Sequence, residues 1–172
     1  MKTFKELLNE IFNQVPHKVL YYGNDSDHGK NKDKLGYQQA HTYEFYTKHN
    51  KRYEVNIDHH GVKNEKTGQI ENHATVNFHR NIKGTTYQHA TRDTNEESHH
   101  AFGGVHHIVK DHLKKNPHIS HVTFDSMKQE PKRVKLYSSI LKKLAHHHSE
   151  EDKIGKGQTP LKKYTVATKD LK

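Results

Sequence analysis

The stretch HTYEFYTKHNKRYEVNID, residues 41–58, decides the fold that the sequence predicts. Its two halves, 41–47 and 52–58, alternate polar and apolar side chains with the period of an extended chain. In the second half a tyrosine, a valine and an isoleucine fall on one face. The four polar residues 48–51 form a connection typical of a β-hairpin. We therefore expect two adjacent antiparallel strands here.

Other segments extend this pattern in both directions along the chain. Five more have the alternation or composition of strands: 18–22, 71–79, 85–91, 119–125 and 163–168. Three have apolar residues at helical spacing: 3–15, 97–114 and 131–145. The predicted fold class is α+β, in which a mostly antiparallel meander sheet packs with an N-terminal helix and two further helices.

The chain length of 172 residues suits one folded domain. We expect an N-terminal amphipathic helix at 1–16, followed by a single α+β domain at 17–172. Three segments rich in polar residues, glycine or both are expected to be loops: 23–36, 59–70 and 146–162.

The composition excludes several classes of protein. The chain has no cysteine, which excludes disulfides, thiolate catalysis, cysteine-based zinc fingers and iron–sulfur ligation. No apolar run approaches the roughly 18 residues of a membrane span, and the N-terminus lacks the pattern of a secretory signal, so no membrane partner is expected. The net charge of +9 indicates either an acidic partner or a generally basic soluble surface.

The chain has 19 histidines, several of them in runs. In the second predicted helix, His99 and His106, like His100 and His107, are seven residues apart, about 10 Å along the axis, which is too far for one metal ion. We expect these four to be solvated helix-surface residues that take up protons between about pH 7 and 5, and His112 to be half-buried. No metal site and no cofactor are predicted.

Two strand-like segments each carry a His-x-Thr motif, His73-Ala74-Thr75 and His121-Val122-Thr123. This pair resembles the motifs of the 2H phosphoesterases, in which the two motifs lie on adjacent central strands. The resemblance implies cleavage of a (cyclic) nucleotide, with the two histidines exchanging protons with the attacking and leaving oxygens and the two threonines holding phosphate oxygens.

The N-terminal segment MKTFKELLNE is similar to the Met-Lys-Thr-aromatic-x-Glu segments of proteins from large contractile-tailed phages. The leading interpretation is therefore a non-catalytic, virion-associated structural or accessory protein, located in the virion or the host cytoplasm. Its expected partners are other virion proteins, in multiple copies. The order of elements also resembles GNAT-type acetyltransferases, but 92–100 lacks the glycines that their pyrophosphate-binding loop needs.

The third predicted helix and its flanks carry a cluster of basic residues: Lys128, Lys132, Arg133, Lys135, Lys142 and Lys143. Such clustering is typical of phosphate-backbone binding, which makes DNA a further candidate partner and a nucleic-acid-binding module a third interpretation. The alternative is a solvated helix face.

Overall fold

The structure is a computed structural model, and it describes residues 15–25, 39–82, 85–88, 95–127, 148–154 and 160–170. Within these ranges the chain forms eight strands and one α-helix. In chain order they are β1 (Lys18–Asp25), β2 (Gln39–Tyr46), β3 (Arg52–Lys63), β4 (Ile70–Ile82), β5 (Thr85–Gln88), α1 (Asn95–Lys115), β6 (His121–Met127), β7 (His148–Ile154) and β8 (Pro160–Ala167), which a short 3-10 helix follows at Thr168–Asp170.

The strands join into one mixed sheet in the order β1, β2, β3, β4, β6, β8, β7, and β5 pairs with β4 outside this path. β4 and β6 run parallel, whereas β8 is antiparallel to both of its neighbours. The predicted fold class was wrong, because the sheet is not a simple meander and the described residues contain one helix rather than three. The helices predicted at 3–15 and 131–145 lie, apart from Val15, outside the described residues.

The parallel pair of β4 and β6 explains why a meander was the wrong expectation. After β4 the chain forms β5 and α1 before β6 begins. Parallel neighbours require a long crossover connection of this kind, usually a helix. The alternation within a segment indicates a strand, but it does not indicate which strand will be its neighbour.

The predicted loops also differ from the structure. β3 continues to Lys63, inside the loop expected at 59–70, and β7 lies inside the loop expected at 146–162. The charged residues of β7 suit an edge strand, because they stay in solvent while the backbone pairs with β8. An ion pair of 2.6 Å between Lys162 and Glu150 links these two strands. The loop expected at 23–36 lies mostly outside the described residues.

The chain divides into two compact units, and β3 and β4 contribute residues to both. Unit 1 comprises 1–24, 41–56 and 78–115, and unit 2 comprises 25–40, 57–77 and 116–172.

In unit 1, α1 lies very close to β2 at Gly104. A Cβ atom built on Gly104 would overlap the ring of Phe45, which is completely buried and stacks on Tyr53 with 5.3 Å between ring centroids. The glycine therefore permits a close approach that any other residue would prevent.

No helix in the described ranges is long and apolar enough to span a membrane.

The histidines of α1 correct one prediction. His100 is buried at 8% exposure, and His99 and His106 are half-buried, so the expectation that all four helix histidines are solvated was wrong for these three. Burial lowers the pKa of His106 to about 4, with a further contribution from the positive charge of Lys110. His112 is also more buried than expected, at 1% exposure.

In unit 2, the strands β4, β6 and β8 have one apolar and one polar face. The apolar face is buried and carries Ala74, Val76, Val122, Tyr164 and Val166. Since side chains alternate along a strand, the residues between them lie on the opposite face. There His73 is level with His121, and the next level carries Thr75, Thr123 and Thr165.

Candidate metal centre

The structure brings the two predicted His-x-Thr motifs together on the polar face of unit 2. His73 on β4 is directly opposite His121 on β6, and Thr75 is directly opposite Thr123. Because the pair is parallel and in register, equivalent residues of both motifs face the same side of the sheet. All four residues proposed as catalytic therefore lie on one face of the sheet.

The two histidine rings contact each other. Their centroids are 4.5 Å apart, and the rings are stacked at 27°. The side chain of His73 is 9% exposed and that of His121 is 28% exposed, so His121 is the more accessible of the two rings. At this separation the ring faces leave no space for a phosphate group between them.

A carboxylate completes this arrangement. Glu71 lies two residues before His73 on the same strand, and therefore on the same face. Its Oε2 atom is 3.4 Å from Nε2 of His73 and 3.4 Å from Nδ1 of His121. Its Oε1 atom accepts a hydrogen bond of 2.6 Å from the side-chain amide of Asn64. Sequence analysis missed Glu71, although the Glu-x-His spacing on a strand was a usable signal.

The surroundings favour the carboxylate form of Glu71 and the neutral form of His73, which are the forms that bind a cation. The hydrogen bond from Asn64 and the nearby ring of His73 hold the pKa of Glu71 below its ordinary value, so the side chain is a carboxylate at neutral pH. Burial lowers the pKa of His73, an effect that Glu71 opposes and that the nearby His121 and His60 reinforce. A neutral imidazole has a nitrogen lone pair available for an ion.

The distances fit a bound ion better than a hydrogen-bonded cluster. One ligand atom from each of Glu71, His73 and His121 lies within 4.8 Å of the others. Charge-assisted N–H to O bonds are shorter than the two 3.4 Å separations, at about 2.7–2.9 Å. Ligand bonds of about 2.0–2.1 Å in a tetrahedral zinc site place neighbouring ligand atoms about 3.4 Å apart. The two separations between the Glu71 carboxylate and the histidines therefore match the spacing of tetrahedral ligands.

Ser120 lies beside this cluster at the start of β6. Its hydroxyl donates a 2.9 Å hydrogen bond to the carbonyl of Asn72 and is 3.0 Å from Nδ1 of His121. An ion bound through this nitrogen would replace the contact with His121, while the bond to Asn72 would remain. Nδ1 of His73 is buried and has no hydrogen-bond partner in the described part of the chain, so Nε2 is the nitrogen that faces Glu71.

The threonines do not share one open space. Thr123 is completely buried, and its hydroxyl is 3.3 Å from the hydroxyl of Thr165 on β8. Thr75 is half-buried. The structure thus places the two histidines together but does not place Thr123 where a substrate oxygen could reach it.

The predicted nucleic-acid-binding residues cannot be placed against this site. Lys128, Lys132, Arg133, Lys135, Lys142 and Lys143 all lie outside the described residues.

Comparisons of the chain with protein-family models, with curated proteins and with solved structures found no match. The functional argument therefore rests on the geometry of the cluster itself.

Proposed function

We propose that this protein binds one divalent transition-metal ion through Glu71, His73 and His121. The observation that supports the proposal is the set of three ligand atoms, from two adjacent parallel strands, that lie within 4.8 Å of one another. Two imidazoles and one carboxylate suit zinc or iron(II), whereas calcium and magnesium prefer oxygen ligands alone.

Strand pairing makes the site rigid before an ion arrives. His73 and His121 lie at paired backbone positions, so the hydrogen bonds between β4 and β6 fix their separation. Asn64 orients the carboxylate of Glu71 from outside the cluster, as outer partners of metal ligands commonly do. The side chains of these three residues therefore need little further ordering when an ion binds, which favours a high affinity for the ion.

Isothermal titration of zinc into chelator-treated, tag-free protein tests the proposal. Because the run at 146–148 adds three histidines that can bind zinc adventitiously, all variants should carry alanine at these positions. We expect one zinc per chain in this background. Glu71→Gln should weaken binding by more than about 100-fold, beyond the roughly 10–100-fold that loss of an outer partner costs. His107→Asn, on the exposed side of α1, is the matched control and should bind as the parent does. Equal affinity in Glu71→Gln and the parent would rule the site out.

A second candidate is the 2H-like phosphoesterase, which the in-register placement of His73 and His121 favours. The buried Thr123 weighs against it. This candidate needs both imidazoles free to transfer protons, so its turnover of a cyclic nucleotide should persist in a chelator and be lost in His121→Asn. Turnover with these properties, together with no zinc binding, would favour it over the metal centre.

The virion-associated role stays a proposal that rests on the N-terminal segment MKTFKELLNE. Mass spectrometry of purified phage particles tests it, together with the expected virion partners.

DNA binding stays a proposal that rests on the basic cluster. Changing Lys132, Arg133, Lys135 and Lys142 to glutamate should abolish a salt-sensitive gel shift if that proposal is right.

A further inference from the structure

A third imidazole lies next to the proposed metal centre. His60 is on β3, the neighbour of β4 in the sheet, and belongs to the same unit as the cluster. Its ring centroid is 6.1 Å from that of His73, and its side chain is half-buried. Thus β3, β4 and β6 each present one histidine, His60, His73 and His121, in a row across the sheet.

A backbone carbonyl close to the His60 ring determines which ring nitrogen carries the proton. Its Nδ1 atom is 3.3 Å from the carbonyl oxygen of Asp58, and a carbonyl can only accept. Nδ1 therefore carries the proton, and Nε2 carries the lone pair. Histidines that bind metals almost always donate their other ring N–H to a carbonyl or carboxylate in this way.

The three residues of the proposed centre leave one position of a tetrahedron to be filled. Resting on the proposed function, we infer that His60 supplies the fourth protein ligand, so that three imidazoles and one carboxylate enclose the ion. The His60 ring reaches the ion by a side-chain movement toward His73, since its nitrogens are not within the 4.8 Å set.

Four protein ligands change the chemistry of the centre. A zinc ion with three protein ligands keeps a position for water and serves catalysis, whereas a four-ligand site is closed and structural. The ion would therefore link β3, β4 and β6. A site of this kind binds the metal tightly and does not activate water. Zinc should also raise the melting temperature of the protein, because it binds the folded chain in preference to the unfolded one.

X-ray absorption of the protein with less than one equivalent of zinc tests the inference, again with alanine at 146–148. We expect three imidazoles in the zinc shell of the parent, two in His60→Asn, and zinc binding weakened by more than about 100-fold in that variant, beyond the roughly 10–100-fold that loss of an outer partner costs. His107→Asn should keep three. Circular dichroism of each metal-free variant checks that it folds as the parent does, and His60→Gln provides a second substitution.

The outcomes separate the two proposals. Zinc binding with two imidazoles in the parent, unchanged in both His60 variants, would overturn the role of His60 and leave the three-residue centre intact. No zinc binding by the parent would overturn the centre and, with it, the role of His60. Three imidazoles in the parent and two in both variants would support the four-ligand site.

Discussion

Two histidine rings contact each other in unit 1, at His41 and His112, and two in unit 2, at His73 and His121, but the partners of the two pairs differ. In unit 1, the rings of His41 and His112 are 4.7 Å apart, edge to face. Nδ1 of His41 is 2.9 Å from the hydroxyl of Tyr21, and Nδ1 of His112 is 2.7 Å from the hydroxyl of Tyr43. Both histidines are buried, with 7% and 1% exposure.

In unit 2, the rings of His73 and His121 are 4.5 Å apart, but their shared partner is the carboxylate of Glu71. A tyrosine hydroxyl satisfies a buried imidazole without adding charge, which suits a structural role. A carboxylate adds a negative charge and a metal ligand, and the partial exposure of His121 lets an ion enter. The pair in unit 2 thus combines a carboxylate with access for an ion, whereas the pair in unit 1 is buried and contacts tyrosine hydroxyls.

The largest effect on zinc affinity should come from comparing the same substitution in each of the two histidine pairs. His121→Asn should lower zinc affinity by more than about 100-fold, because a ligand is lost. His112→Asn should leave zinc affinity within about twofold, since its ring is held by Tyr43 instead of a carboxylate. Isothermal titration of both variants measures the difference. Equal losses of affinity would mean that the comparison misidentifies the functional pair.

The tyrosine partners should matter for stability in proportion to their burial. Tyr43→Phe should lower the free energy of unfolding by about 1–3 kcal/mol, because the buried hydrogen bond between its hydroxyl and Nδ1 of His112 is lost. Tyr21→Phe should cost less, since Tyr21 is 52% exposed and water can replace its hydroxyl next to His41. Urea denaturation of both variants gives the two values, and a larger loss in Tyr21→Phe would contradict the assignment.

Acid should destabilise the protein through the buried histidines of α1. The pKa of His106 is lowered from 6.5 to about 4, first by burial and then by Lys110 and His107. Between these two values the unfolded chain binds a proton at this position and the folded chain does not. Stability is therefore highest above pH 6.5, falls as the pH drops toward 4 and levels off below it, with a loss on the order of 1–3 kcal/mol.

Urea denaturation between pH 7 and 4 measures this dependence. His106→Gln should remove part of the slope, whereas the control His99→Gln, on the same helix, should keep the slope of the parent. An unchanged slope in His106→Gln would show that His106 does not contribute. The result also tests whether His106 is shielded from solvent, in contrast to the sequence-based expectation that the histidines of this helix are solvated.

The site shows which features a sequence can predict. The two His-x-Thr motifs are visible in the chain, and Glu71 was also predictable, because the alternation of a strand places it on the face of His73. The parallel register of β4 and β6 was not predictable, since the pairing of segments 48 residues apart along the chain depends on the crossover through α1. The hydrogen bond from Asn64 to Glu71 could not be predicted either, because it depends on how the turn between β3 and β4 closes.

The fold shows the same division. The hairpin segments 41–47 and 52–58 were predicted within a few residues of β2 and β3, since alternation over a half-buried strand is a local property. β7 was missed because its charged sequence has no apolar face. Its strand conformation depends on pairing with β8, where Glu151 and Asp152 are level with Lys163 and Lys162.

The smallest expected effect separates the metal centre from the proton-transfer candidate. The hydroxyl of Ser120 is 3.0 Å from Nδ1 of His121, the nitrogen that faces Glu71. If an ion binds there, Ser120 competes with it, and Ser120→Ala should tighten zinc binding by about two- to threefold. If His121 acts as a base instead, the same hydroxyl orients its ring, and Ser120→Ala should lower turnover. Ser149→Ala, on the exposed edge strand β7, is the matched control. A tenfold loss of zinc affinity in Ser120→Ala would show that Ser120 supports the ligand rather than competing for it.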